Sequence, residues 1–99
     1  MQNMNYSFNL PALDLSGKAL KDPSDDSDLT LGRILANSLV SQAKGDAMKY
    51  LDWGRRMYAG DPVNLDRSDV KTLQEFINTS EQLTVLAKGQ LLDILDKKD

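Results

Sequence analysis

The sequence predicts an α+β domain that is mainly α: a short N-terminal β-hairpin followed by a three- or four-helix bundle. Three observations carry this. Residues alternate apolar and polar from Asn5 to Leu10; apolar residues recur at three- and four-residue spacing from Leu31 onward; and polar or glycine punctuation falls at Asp22–Asp28, Gly45, Gly60–Pro62 and Thr79–Ser80. A chain of 99 residues with 40% hydrophobic content forms one modest core. A single domain, 1–99, is therefore expected, divided into a strand and hairpin at 1–21, an acidic loop at 22–29 and a helical part at 30–97.

In the first segment Tyr6, Phe8 and Leu10 share one face of a half-buried strand, and Asn5, Ser7 and Asn9 the other. Pro11 removes a backbone donor and so ends the strand or confines it to an edge. Asp14-Leu15-Ser16-Gly17-Lys18 has turn chemistry, because Gly17 adopts positive φ without a Cβ clash and Asp14 can accept from the backbone two residues on. Lys18 to Lys21 is then the returning strand. Asp22 to Asp28 carries a proline and four carboxylates and is read as a solvated loop.

Thr30 is the expected N-cap of a helix from Leu31 to Ala43, with Leu31, Ile34, Leu35 and Leu39 on its core stripe. Asp46 caps a second helix reaching Tyr58, whose apolar residues Ala47, Tyr50, Leu51, Trp53, Met57 and Tyr58 spread over more than one face. Gly60 closes it in the left-handed region. Asp66 or Ser68 opens a third helix bearing Val70, Leu73, Phe76 and Ile77. Thr79-Ser80 interrupts it, and a last helix from Glu81 to Asp96 sets Leu83, Leu86, Ala87 and Ile94 on one side, with Val85 and Leu92 nearly opposite.

Composition narrows the function. With no cysteine there is no disulfide or thiolate metal site, and with no histidine the commonest general base and transition-metal ligand are missing. Asp22, Ser24, Asp26 and Asp28 superficially match a calcium loop, but the sixth position is not glycine and the twelfth is Arg33. No GxGxxG, P-loop or convincing Ser-x-x-Lys motif occurs. The expectation is a protein that is not an enzyme and holds no metal or cofactor.

No stretch approaches the roughly 18 apolar residues of a membrane span and no signal-peptide pattern opens the chain, so a cytoplasmic location is expected, with no membrane partner. A net charge of −3 supplies no general attraction to phosphate, which argues against a nucleic-acid partner; Arg55-Arg56 is the one local basic candidate.

Two features remain for protein contacts. Tyr50, Trp53 and Tyr58 lie on or near one helix, and such residues serve cores and interfaces alike, Trp53 being read first as core. Val85 and Leu92, a heptad apart, give the last helix a second apolar face, which meets either the hairpin of the same chain or another chain. The candidate interface residues are thus Val85, Leu92, Trp53, Tyr58, Arg55 and Arg56, and a homo-oligomer through the last helix is one expectation.

The layout resembles a set of small proteins encoded by bacteriophages and prophages. The resemblance rests on Asp14-Leu15-Ser16-Gly17-Lys18, on Leu29-Thr30-Leu31-Gly32 opening a helix with Ala36-Asn37-Ser38-Leu39, on Tyr58-Ala59-Gly60, on Leu65-Asp66, and on the run Leu83 to Leu92. It spans most of the chain and contains no catalytic motif. It implies a virion-assembly factor such as a tail-assembly chaperone, acting in the host bacterial cytoplasm by covering apolar surface on a phage structural protein. The alternatives are a phage-encoded inhibitor that presents an acidic surface to a host defence or regulatory protein, and a small-ligand or nucleotide-binding protein using the aromatic cluster and Arg55-Arg56.

Overall fold

The computed structural model describes residues 4–21, 26–42 and 45–96. Within them the order is β1 (Met4–Tyr6), α1 (Leu31–Ser41), α2 (Ala47–Ala59), β2 (Val63–Leu65), α3 (Arg67–Thr79) and α4 (Val85–Asp96). The mainly helical α+β class expected from the sequence is the class observed.

The helix ends follow from local chemistry. Thr30 Oγ1 accepts from Arg33 N at 3.1 Å and Asp46 Oδ1 from Lys49 N at 3.2 Å. Asp66 and Asp69 form a reciprocal capping box, Asp69 N to Asp66 Oδ1 at 2.7 Å and Asp66 N to Asp69 Oδ2 at 3.2 Å. These bonds satisfy amides that the first turn leaves without intrahelical partners. Gly60, at φ 88°, ends α2 with its own N–H on Met57 O and that of Asp61 on Arg56 O, the paired closure that a left-handed residue permits. The expected end of α1 at Ala43 lies outside the described residues.

The last helix begins later than its sequence suggests. Ser80 Oγ accepts only from Gln82 N, in a bend, whereas Thr84 Oγ1 accepts from Ala87 N at 3.2 Å and starts α4 at Val85. Leu83 packs into the core ahead of it, and Ala87, Leu91 and Leu95 form its buried i, i+4, i+8 line.

Strand pairing also differs in detail. β1 is antiparallel to β2, with Met4 opposite Leu65 and Tyr6 opposite Val63. Tyr6, Val63 and Leu65 face the core, while Asn5 and Asn64 meet on the outer face through an amide hydrogen bond of 3.1 Å. The returning segment at Lys18–Lys21 does come back antiparallel, but onto Ala12–Asp14 and not onto Asn5–Leu10: Leu13 bridges Ala19, and Leu20 N donates to Ala12 O. The reason is a bend after Phe8. Leu10 N donates to Phe8 O, and the Phe8 and Leu10 carbonyls accept from Gly32 N and Leu31 N at the start of α1, so this stretch serves the helix entrance. Leu10 is consequently half exposed, where the alternation had placed it inward.

Part of the acidic loop, 22–25, lies outside the described residues, and with it Asp22 and Ser24. Its far end is tied down: Asp28 bridges Lys21 in the backbone and pairs with its ammonium, and Leu29 N donates to Leu20 O.

α1 and α2 form an antiparallel hairpin of unusually close approach. A Cβ at Gly32 would run into the Met57 carbonyl, and one at Gly54 would stand 2.8 Å from Val40 Cγ1. Ala36 faces Gly54 between these points. Tyr6, Phe8, Leu35, Leu39, Met57, Leu65, Leu73, Ile77, Leu91 and Leu95 are fully buried and make one contiguous core. Leu39 and Met57 therefore point inward on the face of the hairpin that meets α3 and α4, which leaves its opposite face to solvent.

Candidate interaction surface

That outward face is a shallow groove. Its walls are Ala36, Asn37 and Val40 of α1 and Leu51, Gly54, Arg55, Tyr58 and Ala59 of α2, enclosing about 350 Å³. The floor is low because Ala36 and Gly54 are small, and the same small residues let the two helices touch. The walls are apolar and open: Val40 is 48% exposed, Leu51 38% and Tyr58 52%. Met48, one turn before Leu51 on the same side of α2, is 77% exposed. Single exposed apolar residues are ordinary; four at successive turns of one helix pair are a patch.

The groove continues across the α1–α2 connection into a second hollow of about 240 Å³, lined by Leu39, Val40, Gln42, Gly45, Ala47, Tyr50 and Leu51. Val40 and Leu51 belong to both. Gln42 Nε2 is buried here without a hydrogen-bond partner among the described residues.

The charged groups around the groove are mainly guanidiniums. Arg33 lies over the Tyr58 ring, 5.2 Å from its centroid, and its Nη1 donates to Ser27 Oγ at 3.3 Å. Arg55 lines the opposite wall. Arg56, one residue on, is paired along the helix with Asp52 at 3.2 Å. Neither Arg33 nor Arg55 meets a carboxylate among the described residues.

Of the residues singled out from the sequence, the structure gathers Tyr58, Arg55 and, at the edge, Arg56. Trp53 is elsewhere: it is 4% exposed, stacked at 5.5 Å on Tyr50 and covered by Lys49, whose ammonium is 5.2 Å from its ring centroid and 2.6 Å from Asp69. The carboxylate of Asp69 holds Lys49 above the usual lysine range, fixing the charged form that ties α2 to α3. Trp53 is thus core, and its reading as an interface residue is corrected.

Val85 and Leu92 do not make a common stripe. Val85 is 86% exposed in the first turn of α4, whereas Leu92 packs against the core. A heptad on a straight helix drifts by about 20°, and the underlying elements decide which residue is covered. Arg33, Val40 and Leu51 went unselected in the sequence. The signal was there in the second helix, whose apolar residues occupy more faces than one core contact can use.

Among the described residues no group of three or more Asp or Glu is placed to hold a metal ion, and no helix is long and apolar enough to cross a membrane. Neither a protein-family model nor a curated protein nor a solved structure matches the chain.

Proposed function

We propose that the chain is a non-catalytic interaction factor that uses the α1/α2 face to cover an apolar segment of another protein, as the tail-assembly chaperones it resembles do. The supporting observation is the groove itself: Val40, Met48, Leu51 and Tyr58 stay open to solvent although the same helices bury Leu35, Leu39, Trp53 and Met57. Full burial of an exposed Val, Leu or Met side chain is worth about 1.5–3 kcal/mol, and the partly exposed side chains here forgo a fraction of that, which a partner recovers in part. The inhibitor alternative relied on an acidic surface, whereas the charges beside this groove are mainly basic; no observation favours the small-ligand alternative over protein contact.

The test is site-specific photo-crosslinking in phage-producing cells, with a benzophenone amino acid at Val40 or Tyr58 and, as control, at exposed Lys71 on α3. Adducts with a virion component concentrated at the two groove positions support the proposal. Equal labelling at Lys71, or none at the groove, refutes it, and adducts with a host regulatory protein instead move the assignment to the inhibitor class.

A further inference from the structure

We infer that the groove receives an amphipathic α-helix with acidic residues flanking its apolar stripe, supplied by a different protein; this rests on the binding-factor reading above and specifies the occupant. The first argument is shape. The wall positions Ala36, Asn37 and Val40 on α1, and Leu51, Gly54, Arg55 and Tyr58 on α2, repeat at three and four residues, so the ridges run with helical spacing along both sides. From Leu51 to Tyr58 the wall rises about 10 Å, roughly two turns. A helix presenting apolar residues at i, i+3 or i+4, and i+7 matches that length.

The second argument is charge. Arg55 lines the groove and Arg33 stands beside it over Tyr58, and neither meets a carboxylate among the described residues. Arg33 is held over Tyr58, at the end of the groove where that ring is exposed. An incoming helix with Asp or Glu beside its apolar stripe places carboxylates against both guanidiniums, and paired forks of this kind are directional and strong. A twofold dimer through the same face is disfavoured because the groove walls carry no acidic side chain to offer the Arg55 of a second copy.

The experiment uses the full-length chain as bait for a displayed library of helical peptides randomised at both the stripe and the flanks. Enrichment of peptides with large apolar residues at i, i+3 or i+4 and i+7 and with flanking Asp or Glu is expected. The best peptide, made synthetically, should lose about tenfold in affinity or more on Arg55→Glu and on Leu51→Glu, and about as much when its acidic flanks are changed to Lys. Circular dichroism confirms that both variants, altered at exposed positions, remain folded. Enriched basic or extended peptides overturn the inference, as does binding indifferent to Arg55→Glu or an absence of enrichment. Sedimentation showing a wild-type dimer that Leu51→Glu dissociates overturns it in favour of a second copy. If cross-links form at Val40 while the selected peptides are not acidic helices, the binding-factor reading stands and this inference alone falls.

Discussion

The side-chain amide of Gln90 in α4 binds the backbone of Leu13 as a strand neighbour would: Gln90 Oε1 accepts from Leu13 N at 2.9 Å, and Gln90 Nε2 donates to Leu13 O at 2.8 Å. Leu13 is the residue that bridges Ala19 in the small hairpin, so one glutamine anchors that hairpin to a helix 77 positions away. Gln90→Ala removes both bonds. Each is worth about 0.5–1.5 kcal/mol net, so urea denaturation should show a loss of about 1–3 kcal/mol. The Leu13 amide should lose more exchange protection than the amides of α1. Unchanged exchange at Leu13 would mean that the hairpin holds its place without the anchor.

The glycines of two helices should respond with opposite sign. Gly32→Ala pushes a methyl group into the Met57 carbonyl, where two backbones already touch, and overpacking of this kind costs about 1–3 kcal/mol. At Gly89 nothing stands within 4 Å of an added Cβ. Gly89→Ala in the interior of α4 should therefore stabilise by about 0.5–1 kcal/mol through helix propensity alone. Thermal melts of the two variants beside the wild type give the comparison.

Val85 and Leu92 separate in the same way. Val85→Glu changes a residue 86% exposed and should move stability by no more than about 0.5 kcal/mol. Leu92→Glu sets a carboxylate against the core and should cost about 1–3 kcal/mol. Sedimentation of Val85→Glu beside the wild type also tests whether α4 mediates self-association, since a loss of mass on that single change would locate the contact there.

Acid should loosen the turn at Asp14. Its carboxylate accepts from Ser16 N at 2.8 Å, Ser16 Oγ at 2.6 Å and Lys18 N at 3.0 Å, and these bonds, the Ser16 hydroxyl foremost, hold its pKa below the ordinary aspartate value. A pKa lowered in the folded state means that the contribution is complete above the unfolded value, ~3.9, and is lost as pH falls through the folded one. In an NMR titration the Asp14 carboxyl should turn over below the ordinary aspartate value, with the Ser16 amide shifting alongside. Asp14→Asn should abolish that shift.

The features legible in the sequence are those whose causes are local. Thr30, Asp46, Asp66 and Gly60 each act on amides or carbonyls within one helical turn, so their roles follow from residue type and spacing. β2 was not legible: Val63–Leu65 is too short to show a period, and its partner Asn5 lies 59 residues from Asn64. The start of α4 was misplaced because Ser80 and Thr84 offer the same capping hydroxyl, and only the packing of Leu83 between them decides for Thr84. The groove escaped for a related reason. Val40 and Leu51 look like core residues in the sequence, and their exposure is a property of the α1/α2 pair, whose inward faces are filled by Leu39 and Met57.

The separation of β1 from β2 orders events in time. During synthesis the N-terminal strand has no partner until Val63–Leu65 has left the ribosome, and closing so long a loop is entropically slower than closing a helical hairpin. α1 and α2 are close in sequence and meet through Gly32, Ala36 and Gly54, so the contacts between them involve no residue of β2 or α4. The small hairpin and its bonds to the start of α1 need only residues up to Gly32, and the groove is the next tertiary feature the topology allows. A nascent chain that has emerged from the ribosome as far as Pro62 already carries every residue of the groove walls, so recognition by a partner is able to begin while the rest of the domain is still being made.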